Sequence, residues 1–185
     1  MHFAPDTEVD LTFLVELCNT QPGASRSRTD ELATPADLRA LLDKWVFSGR
    51  LDRDETELGE VKAIRDRLRT VWDLATPEAV AEINQIMADA SALPRLVKHD
   101  HFDWHIHATA DDAPLAERIG VEAAMAMSDI IRSGETNRLR VCEADDCTGL
   151  LLDLSRNGSK RFCSVRCGNR MNMIAFRERA ADATS

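Results

Sequence analysis

The chain has 185 residues, of which 44% are apolar and 30% are charged, and its formal net charge is −9. This composition is typical of a globular protein and excludes the fibrous and intrinsically disordered classes. No run of about 18 apolar residues occurs, which excludes a transmembrane helix, and residues 1–6 lack the basic and apolar regions of a secretory signal. We therefore expect a cytoplasmic protein whose cysteines stay reduced.

Apolar periodicity and helix-start signals predict four helices in the first half of the chain. The first helix covers Val9–Asn19, and residues 21–32, which are rich in Gly, Ser and Thr, form a loop. The other three helices begin at capping signals, which are Thr34-Pro35, Asp54 and Thr76-Pro77. Gly49 is expected to end the second helix. The four helices should share one core.

The apolar period then changes from helical to alternating. Leu93–Val97 and Phe102–Thr109 predict the two strands of a β-hairpin, with His99-Asp100-His101 between them. A helix is predicted next, over residues 112–133, and its middle is apolar on nearly all sides. Gly134 should end this helix in a left-handed conformation. The fold class expected up to this point is mainly α with one small hairpin.

Four cysteines late in the chain have the spacing of a metal site. They form the pairs C-x4-C and C-x3-C, with fifteen residues between the pairs: Cys142, Cys147, Cys163 and Cys167. Such pairs allow four thiolates to bind one tetrahedral Zn²⁺ and to close a small fold that lacks a large core. Because four thiolates leave no coordination position for water, we expect one structural zinc ion per chain.

Around these cysteines the sequence predicts a small zinc-finger fold. Residues 142–147 form a metal-binding turn, residues 150–154 form a strand, and Asn157-Gly158 provides a tight turn. Residues 160–162 are expected to return as a second strand, and a helix should run from Ser164 to about residue 180. The order of turn, hairpin and helix predicts a treble-clef-like finger with four cysteines.

Charge separates the chain into two parts. The predicted division is a helical domain, residues 1–137, followed by a zinc-finger module, residues 138–181. The first has a net charge of −12, whereas residues 138–180 carry +4 and residues 155–179 carry +6. Phosphate binding requires a local positive field rather than a positive protein, so nucleic acid is the leading candidate partner of the module.

The helix of the module carries the candidate contacts to DNA. Arg166, Arg170 and Arg177 fall within one stripe, which could lie along phosphates or enter a major groove. Asn169 and Arg170 directly follow a zinc ligand, so support of the metal site is the alternative role for these two. For Arg166 and Arg177 the alternative is plain solvent exposure. The candidate nucleic-acid contacts are Arg156, Lys160, Arg161, Arg166, Asn169, Arg170 and Arg177.

At these residues the chain resembles the bacterial CGNR zinc-finger family, whose hallmark is matched by Cys167-Gly168-Asn169-Arg170. Residues 152–156 and 160–164 also fit the family pattern. Members carry an N-terminal helical domain of the ABATE type, and residues 18–20 (Cys-Asn-Thr) and 64–69 are similar to parts of it. The resemblance implies a stress-linked transcription regulator with structural zinc and DNA binding.

The chain departs from many members of that family at its last cysteine pair. Three residues separate Cys163 from Cys167, where many members have four. The difference is easily absorbed at the start of a helix, but it rotates Arg170 relative to the metal. Base and phosphate contacts are therefore not transferred from other members.

The histidines form a second cluster. Four of the five lie within nine residues, at positions 99, 101, 105 and 107. On a strand, His105 and His107 point to the same side and could share a metal ion or an anion. Trp104 and Ile106 take the opposite side, so the histidines could instead be the polar face of a half-exposed hairpin. A catalytic metal site also needs a third ligand and an open position, so this pair is the less favoured site.

The sequence contains no catalytic motif. A nucleophile elbow and a glycine-rich phosphate loop are both missing, and Cys18 lies on an apolar helix face. We expect that the protein is not an enzyme. The leading hypothesis is a DNA-binding regulator, expected to be a homodimer because a single small module binds DNA weakly. The alternatives are a zinc-dependent protein-interaction module and a thiol-based redox or metal sensor.

Overall fold

The computed structural model describes residues 3–45, 47, 49–98 and 103–182. Its α-helices are α1 (Pro5–Cys18), α2 (Pro35–Leu42), α3 (Glu55–Trp72), α4 (Thr76–Asp89), α5 (Leu115–Ser133) and α6 (Val165–Asp182). Its strands are β1 (Arg95–Val97), β2 (His105–His107), β3 (Leu139–Val141) and β4 (Leu150–Leu152), and a short 3₁₀ helix covers Thr136–Arg138. The prediction of a mainly α protein with small antiparallel hairpins is confirmed.

Two of the three predicted helix starts are formed by the predicted cap residues, Thr34 and Asp54, whereas at α4 the N-cap is Ala75, which makes no side-chain hydrogen bond, and Thr76 is the first helical residue. The hydroxyl of Thr34 accepts a hydrogen bond from the backbone N–H of Asp37, and the carboxylate of Asp37 accepts one from the N–H of Thr34. Asp54 accepts a hydrogen bond from the N–H of Glu57 at 2.9 Å. Gly134 ends α5 with a φ of 73°. Local chemistry therefore sets these boundaries.

The predicted end of the second helix at Gly49 is wrong. Helix α2 ends at Leu42, because the next backbone N–H groups, those of Lys44 and Trp45, bond to carbonyls only three residues earlier. The indole of Trp45 then donates a hydrogen bond to Glu16 on α1 at 2.9 Å. This tertiary contact is made before the chain reaches Gly49, so the helix ends earlier than the glycine predicted.

Helix α5 is the centre of the helical core and packs against α1, α3 and α4. Most of its central residues are buried, as its apolar middle predicted. At Gly120 the approach to α3 is close, since a Cβ there would lie 3.0 Å from Cδ1 of Ile64. Leu150 and Leu152 of β4 belong to the same buried cluster as the helices, so the core extends into the zinc-finger module.

The predicted histidine hairpin is present in the described part of the chain. Strands β1 and β2 pair antiparallel, with Leu96 opposite Ile106 and Val97 opposite His105. The predicted turn at His99-Asp100-His101 lies outside the described residues. None of the described helices is both long and apolar enough to cross a bilayer.

The predicted strand at residues 160–162 is wrong. Strand β4 pairs instead with β3, which precedes the cysteine turn, in the register Leu139 to Leu152. The buried carboxylate of Asp153 accepts hydrogen bonds from the N–H groups of Ser155 and Lys160, which closes the intervening segment into a loop. The first cysteine pair therefore lies at the turn of a β3–β4 hairpin.

Candidate metal centre and zinc-finger surface

The four cysteines of the module meet at one point. Their Sγ atoms all lie within 4.8 Å of one another, and none forms a disulfide. The Cys147–Cys163 and Cys163–Cys167 sulfur distances are 3.6 and 3.8 Å. A tetrahedral site with Zn–S bonds of about 2.3 Å places its sulfurs about 3.8 Å apart. The donor set and its spacing therefore fit one four-coordinate structural zinc ion.

Two pieces of secondary structure position the sulfurs. Cys142 and Cys147 lie in the turn between β3 and β4, which is closed by a 2.7 Å hydrogen bond from the N–H of Cys142 to the carbonyl of Gly149. Cys163 lies two residues before α6 and Cys167 lies in its first turn, where Ser164 accepts a hydrogen bond from the N–H of Cys167. The serine thus acts as an N-cap that fixes the last ligand.

Gly149 is required by close packing at the sulfurs. A Cβ at this position would lie 2.7 Å from Sγ of Cys163 and 3.2 Å from Sγ of Cys147. The N–H of Gly149 also points at Sγ of Cys147 at 3.4 Å, and such hydrogen bonds stabilise thiolates. The sequence offered only the glycine's position just after the turn as a signal for this role.

Burial and neighbouring groups set the acidity of the thiols. Burial raises the pKa of Cys147 and of Cys163 above the ordinary value. Burial also acts to raise the pKa of Cys167, but hydrogen bonds from Ser164 and the neighbouring thiols outweigh it, and the net shift is downward. Zinc, when bound, holds all four sulfurs as thiolates, so metal binding releases protons.

Asn19, which directly follows α1, joins the helical core to the module. Its side-chain oxygen accepts a hydrogen bond from the N–H of Leu150 at 2.7 Å, and its side-chain nitrogen donates to the carbonyl of Leu150 at 2.9 Å. The amide therefore pairs with β4 as a neighbouring strand would. In the sequence, the Cys-Asn-Thr segment shows only a family resemblance and carries no signal for this contact.

Two of the arginines of α6 that were predicted to contact DNA bind the protein itself. The guanidinium of Arg166 donates hydrogen bonds to the carbonyls of Ser25 and Arg26, at 3.3 and 2.8 Å. That of Arg170 forms a 2.5 Å ion pair with Asp146 and lies 3.7 Å from Sγ of Cys167. The structure therefore places Arg170 beside the metal site and Arg166 against the helical domain.

The loop between α1 and α2, residues 19–34, contacts the zinc-finger module directly. Arg28 forms a 2.6 Å ion pair with Asp146, and the carbonyl of Gly23 accepts a hydrogen bond from Thr148 at 3.1 Å. Arg69 of α3 donates to the carbonyl of Thr148. The cysteine turn is thus held by the helical domain on two sides.

The other predicted nucleic-acid contacts lie on the module surface: Arg156, Lys160, Arg161, Asn169 and Arg177. Lys160 donates to the carbonyl of Leu152 at 3.3 Å, and Arg161 forms a 2.6 Å ion pair with Glu143. The remaining three side chains are exposed and form no hydrogen bond or ion pair within residues 103–182 or the other described ranges.

The structure also brings the two strand histidines together. The Nε2 atoms of His105 and His107 are 3.0 Å apart, and Nδ1 of His105 lies 2.8 Å from the carbonyl of Asp103. In the described ranges, no third His, Cys, Asp or Glu joins the pair to form a three-ligand group. His99 and His101 lie outside the described residues.

Two family models match the chain. The model of the CGNR zinc finger matches residues 138–180. The ABATE model, which carries the description "Putative stress-induced transcription regulator", matches residues 12–134, more than half of the chain. No curated protein matches the chain. The protein therefore belongs to the ABATE family and carries a CGNR zinc finger, whose four clustered cysteines form the site of one structural zinc ion.

Proposed function

We propose that this protein is a transcription regulator that binds DNA through the exposed surface of α6. The observation that carries the proposal is the exposure of this helix. Of its 18 residues only Cys167 is buried and four more are half-buried, so most of the helix, including its second half, is exposed. A helix with side chains is about 10–12 Å across and fits the major groove of B-DNA.

The charge of the surface supports nucleic acid as the partner. Arg177 and Arg179 lie on the exposed second half of α6, and Arg156 lies on the exposed loop that precedes the helix. Arg166 and Arg170 are engaged by the protein, so they orient α6 instead of serving as its main phosphate contacts. This division moves the proposed contact surface toward the C-terminal half of the helix.

We also propose that the protein is not an enzyme and that it acts in the cytoplasm. Four thiolates complete a tetrahedral shell, which leaves no open position at which zinc could activate water. Reduced cysteines and a DNA target are both consistent with that compartment.

Salt-dependent binding tests the proposal. Zinc-loaded protein is titrated into mixed-sequence duplex DNA at increasing salt, beside Arg177→Ala/Arg179→Ala. We expect the slope of log K against log salt to become shallower by about 2 in the variant, because each lost phosphate contact removes about 0.9.

The matched control removes two exposed helical arginines from the helical domain, Arg39→Ala/Arg132→Ala. It should bind like the wild type. Zinc content and helicity are measured for every variant. Wild-type protein that fails to bind duplex DNA even at low salt would refute the proposal.

A further inference from the structure

The side of α6 that faces away from the zinc site has an unusual composition. Val165, Asn169, Asn172 and Phe176 follow the spacing i, i+4, i+7 and i+11, which places them within an arc of about 60°. The centre of this arc lies about 170° around the helix from Cys167, the buried ligand. We call these four residues the outer face.

The side chains of the outer face are free to contact a partner. Val165 is 80% exposed and Phe176 is 60% exposed. Asn169 and Asn172 are also exposed, and their side-chain amides form no hydrogen bond within the described part of the chain. Two unpaired amides thus lie between two exposed apolar groups along one line.

This pattern matches the chemistry of A·T base pairs. The side-chain NH2 of an asparagine donates to N7 of adenine in the major groove and its side-chain oxygen accepts from N6–H, and apolar side chains pack on the methyl group of thymine. Asn169 and Asn172 are separated by about 4.5 Å along the helix axis. That separation is close to the 3.4 Å rise of a base pair, so the two amides can address neighbouring pairs.

The charges on α6 favour DNA over a second protein as the occupant of this face. Arg177 and Arg179 project on opposite sides of the outer face, where the phosphates of the two groove walls would lie. Of the acidic residues of the helix, Glu178 lies on the side of Cys167, about 150° from the centre of the face, and Asp182 lies at the end of the helix, about 110° from that centre. Asn169 and Asn172 lie between Val165 and Phe176, so the outer face itself is not a continuous apolar strip, and the exposed Met173 flanks Phe176 outside this face.

We propose that the outer face enters the major groove and reads adenine through Asn169 and Asn172, with Val165 and Phe176 against thymine methyl groups. The inference rests on the proposed function and adds the kind of DNA sequence, adjacent A·T pairs, that α6 recognises. Arg166 and Arg170 act as positioning residues, because their contacts with the α1–α2 loop and with Asp146 fix the direction of the helix.

The test is a selection from random duplexes with sequencing, followed by titration of the selected site. We expect the wild type to enrich a motif that contains adjacent A·T pairs. Asn169→Ala/Asn172→Ala should lose this enrichment but keep its zinc and its salt slope on mixed DNA. Each lost bidentate contact should reduce the preference for the selected site by roughly five- to 150-fold.

An atomic control uses 7-deazaadenine, which lacks the N7 acceptor, at the selected adenines. The wild type should lose affinity for the modified site, whereas the asparagine variant should bind both sites equally. Asn84→Ala, which removes an exposed asparagine of α4, should behave like the wild type throughout.

The outcomes separate this inference from the proposed function. If the wild type binds duplexes without sequence preference, or if the asparagine variant keeps the preference, the outer face does not read bases, although DNA binding stands. If the wild type does not bind DNA at all, both ideas fail. Sedimentation of a dimer that Phe176→Ala dissociates would then assign the outer face to a second copy of the chain.

Discussion

At the scale of single residues, Gly149 controls how closely the sulfurs approach. Replacement by Ala inserts a Cβ 2.7 Å from Sγ of Cys163, so the thiolates must move apart. We expect Gly149→Ala to weaken zinc binding by at least about tenfold, the lower end of what altered support of a metal site causes. Competition against a chromogenic chelator measures the change.

Gly59 provides the matched control for that substitution. It lies within α3, and a Cβ there would meet no atom within 4 Å. Gly59→Ala should leave zinc affinity unchanged and stabilise the helix by about 0.5–1 kcal/mol. Equal zinc affinities of Gly149→Ala and the wild type would show that the sulfurs tolerate the added methyl group.

Asp10 on α1 gives stability a dependence on pH. Burial first, and then the charges of Glu122 and Asp6, raise the pKa of its carboxyl to about 8. The folded-state pKa lies above the unfolded one, so the contribution of this carboxyl to the free energy of unfolding is highest below about pH 4, where it is protonated in both states. This stability is lost as the pH rises toward 8, because ionisation is easier in the unfolded chain. We expect Asp10→Asn to raise the Tm by about 3 °C or more at pH 8–9 and to change it little near pH 4.

Thermal scans across this pH range, with Asp112→Asn as an exposed control, check the sign. An equal Tm difference at all pH values would mean that the change acts through packing and not through the charge of the carboxylate.

At the scale of secondary structure, the features that the sequence predicted correctly are those that depend on neighbouring residues, such as the starts of helices. Capping residues and prolines marked the starts of α2, α3 and α4, and Ser164 marked the start of α6. The cysteine spacing predicted the metal ligands, because each close pair places two of the four sulfurs on one short segment of the chain.

Contacts between distant segments could not be predicted in the same way. Strand β4 pairs with β3 and not with residues 160–162, because Arg140 donates to the carbonyls of Gly158 and Lys160 and the loop closes around Asp153. Helical periodicity placed Arg166 in an exposed stripe, but only the fold shows that the α1–α2 loop lies against it.

The same limit applies to Asn19, whose role depends on a strand more than 130 positions away. Asn19→Ala should leave the N–H and C=O of Leu150 without their partners, at a cost of about 1–3 kcal/mol. Chemical denaturation of the zinc-loaded protein measures this loss. Asn84→Ala should stay within about 0.5 kcal/mol of the wild type. A similarly small effect of Asn19→Ala would mean that water replaces the amide at β4.

At the scale of the whole molecule, the α1–α2 loop links the zinc site to the helical core. On one side, Asp30 of the loop forms a 2.8 Å ion pair with the buried Arg65 of α3. On the other, Asp146 of the cysteine turn binds both Arg28 of the loop and Arg170 of α6. Binding or loss of zinc should therefore change the stability of the loop and not only that of the module.

Removal of zinc tests this link. Without the ion the cysteine turn loses its cross-link, so its contacts with Gly23 and Arg28 should open. In hydrogen exchange followed by mass spectrometry, we expect faster exchange in residues 142–150 and also in residues 21–31 after chelation. Peptides from the centre of α5 should keep their protection, since this helix packs mainly against α1, α3 and α4. Faster exchange confined to residues 142–182 would instead mean that the contacts with α3 hold the loop without the module, and the zinc finger would then be energetically independent of the helical domain.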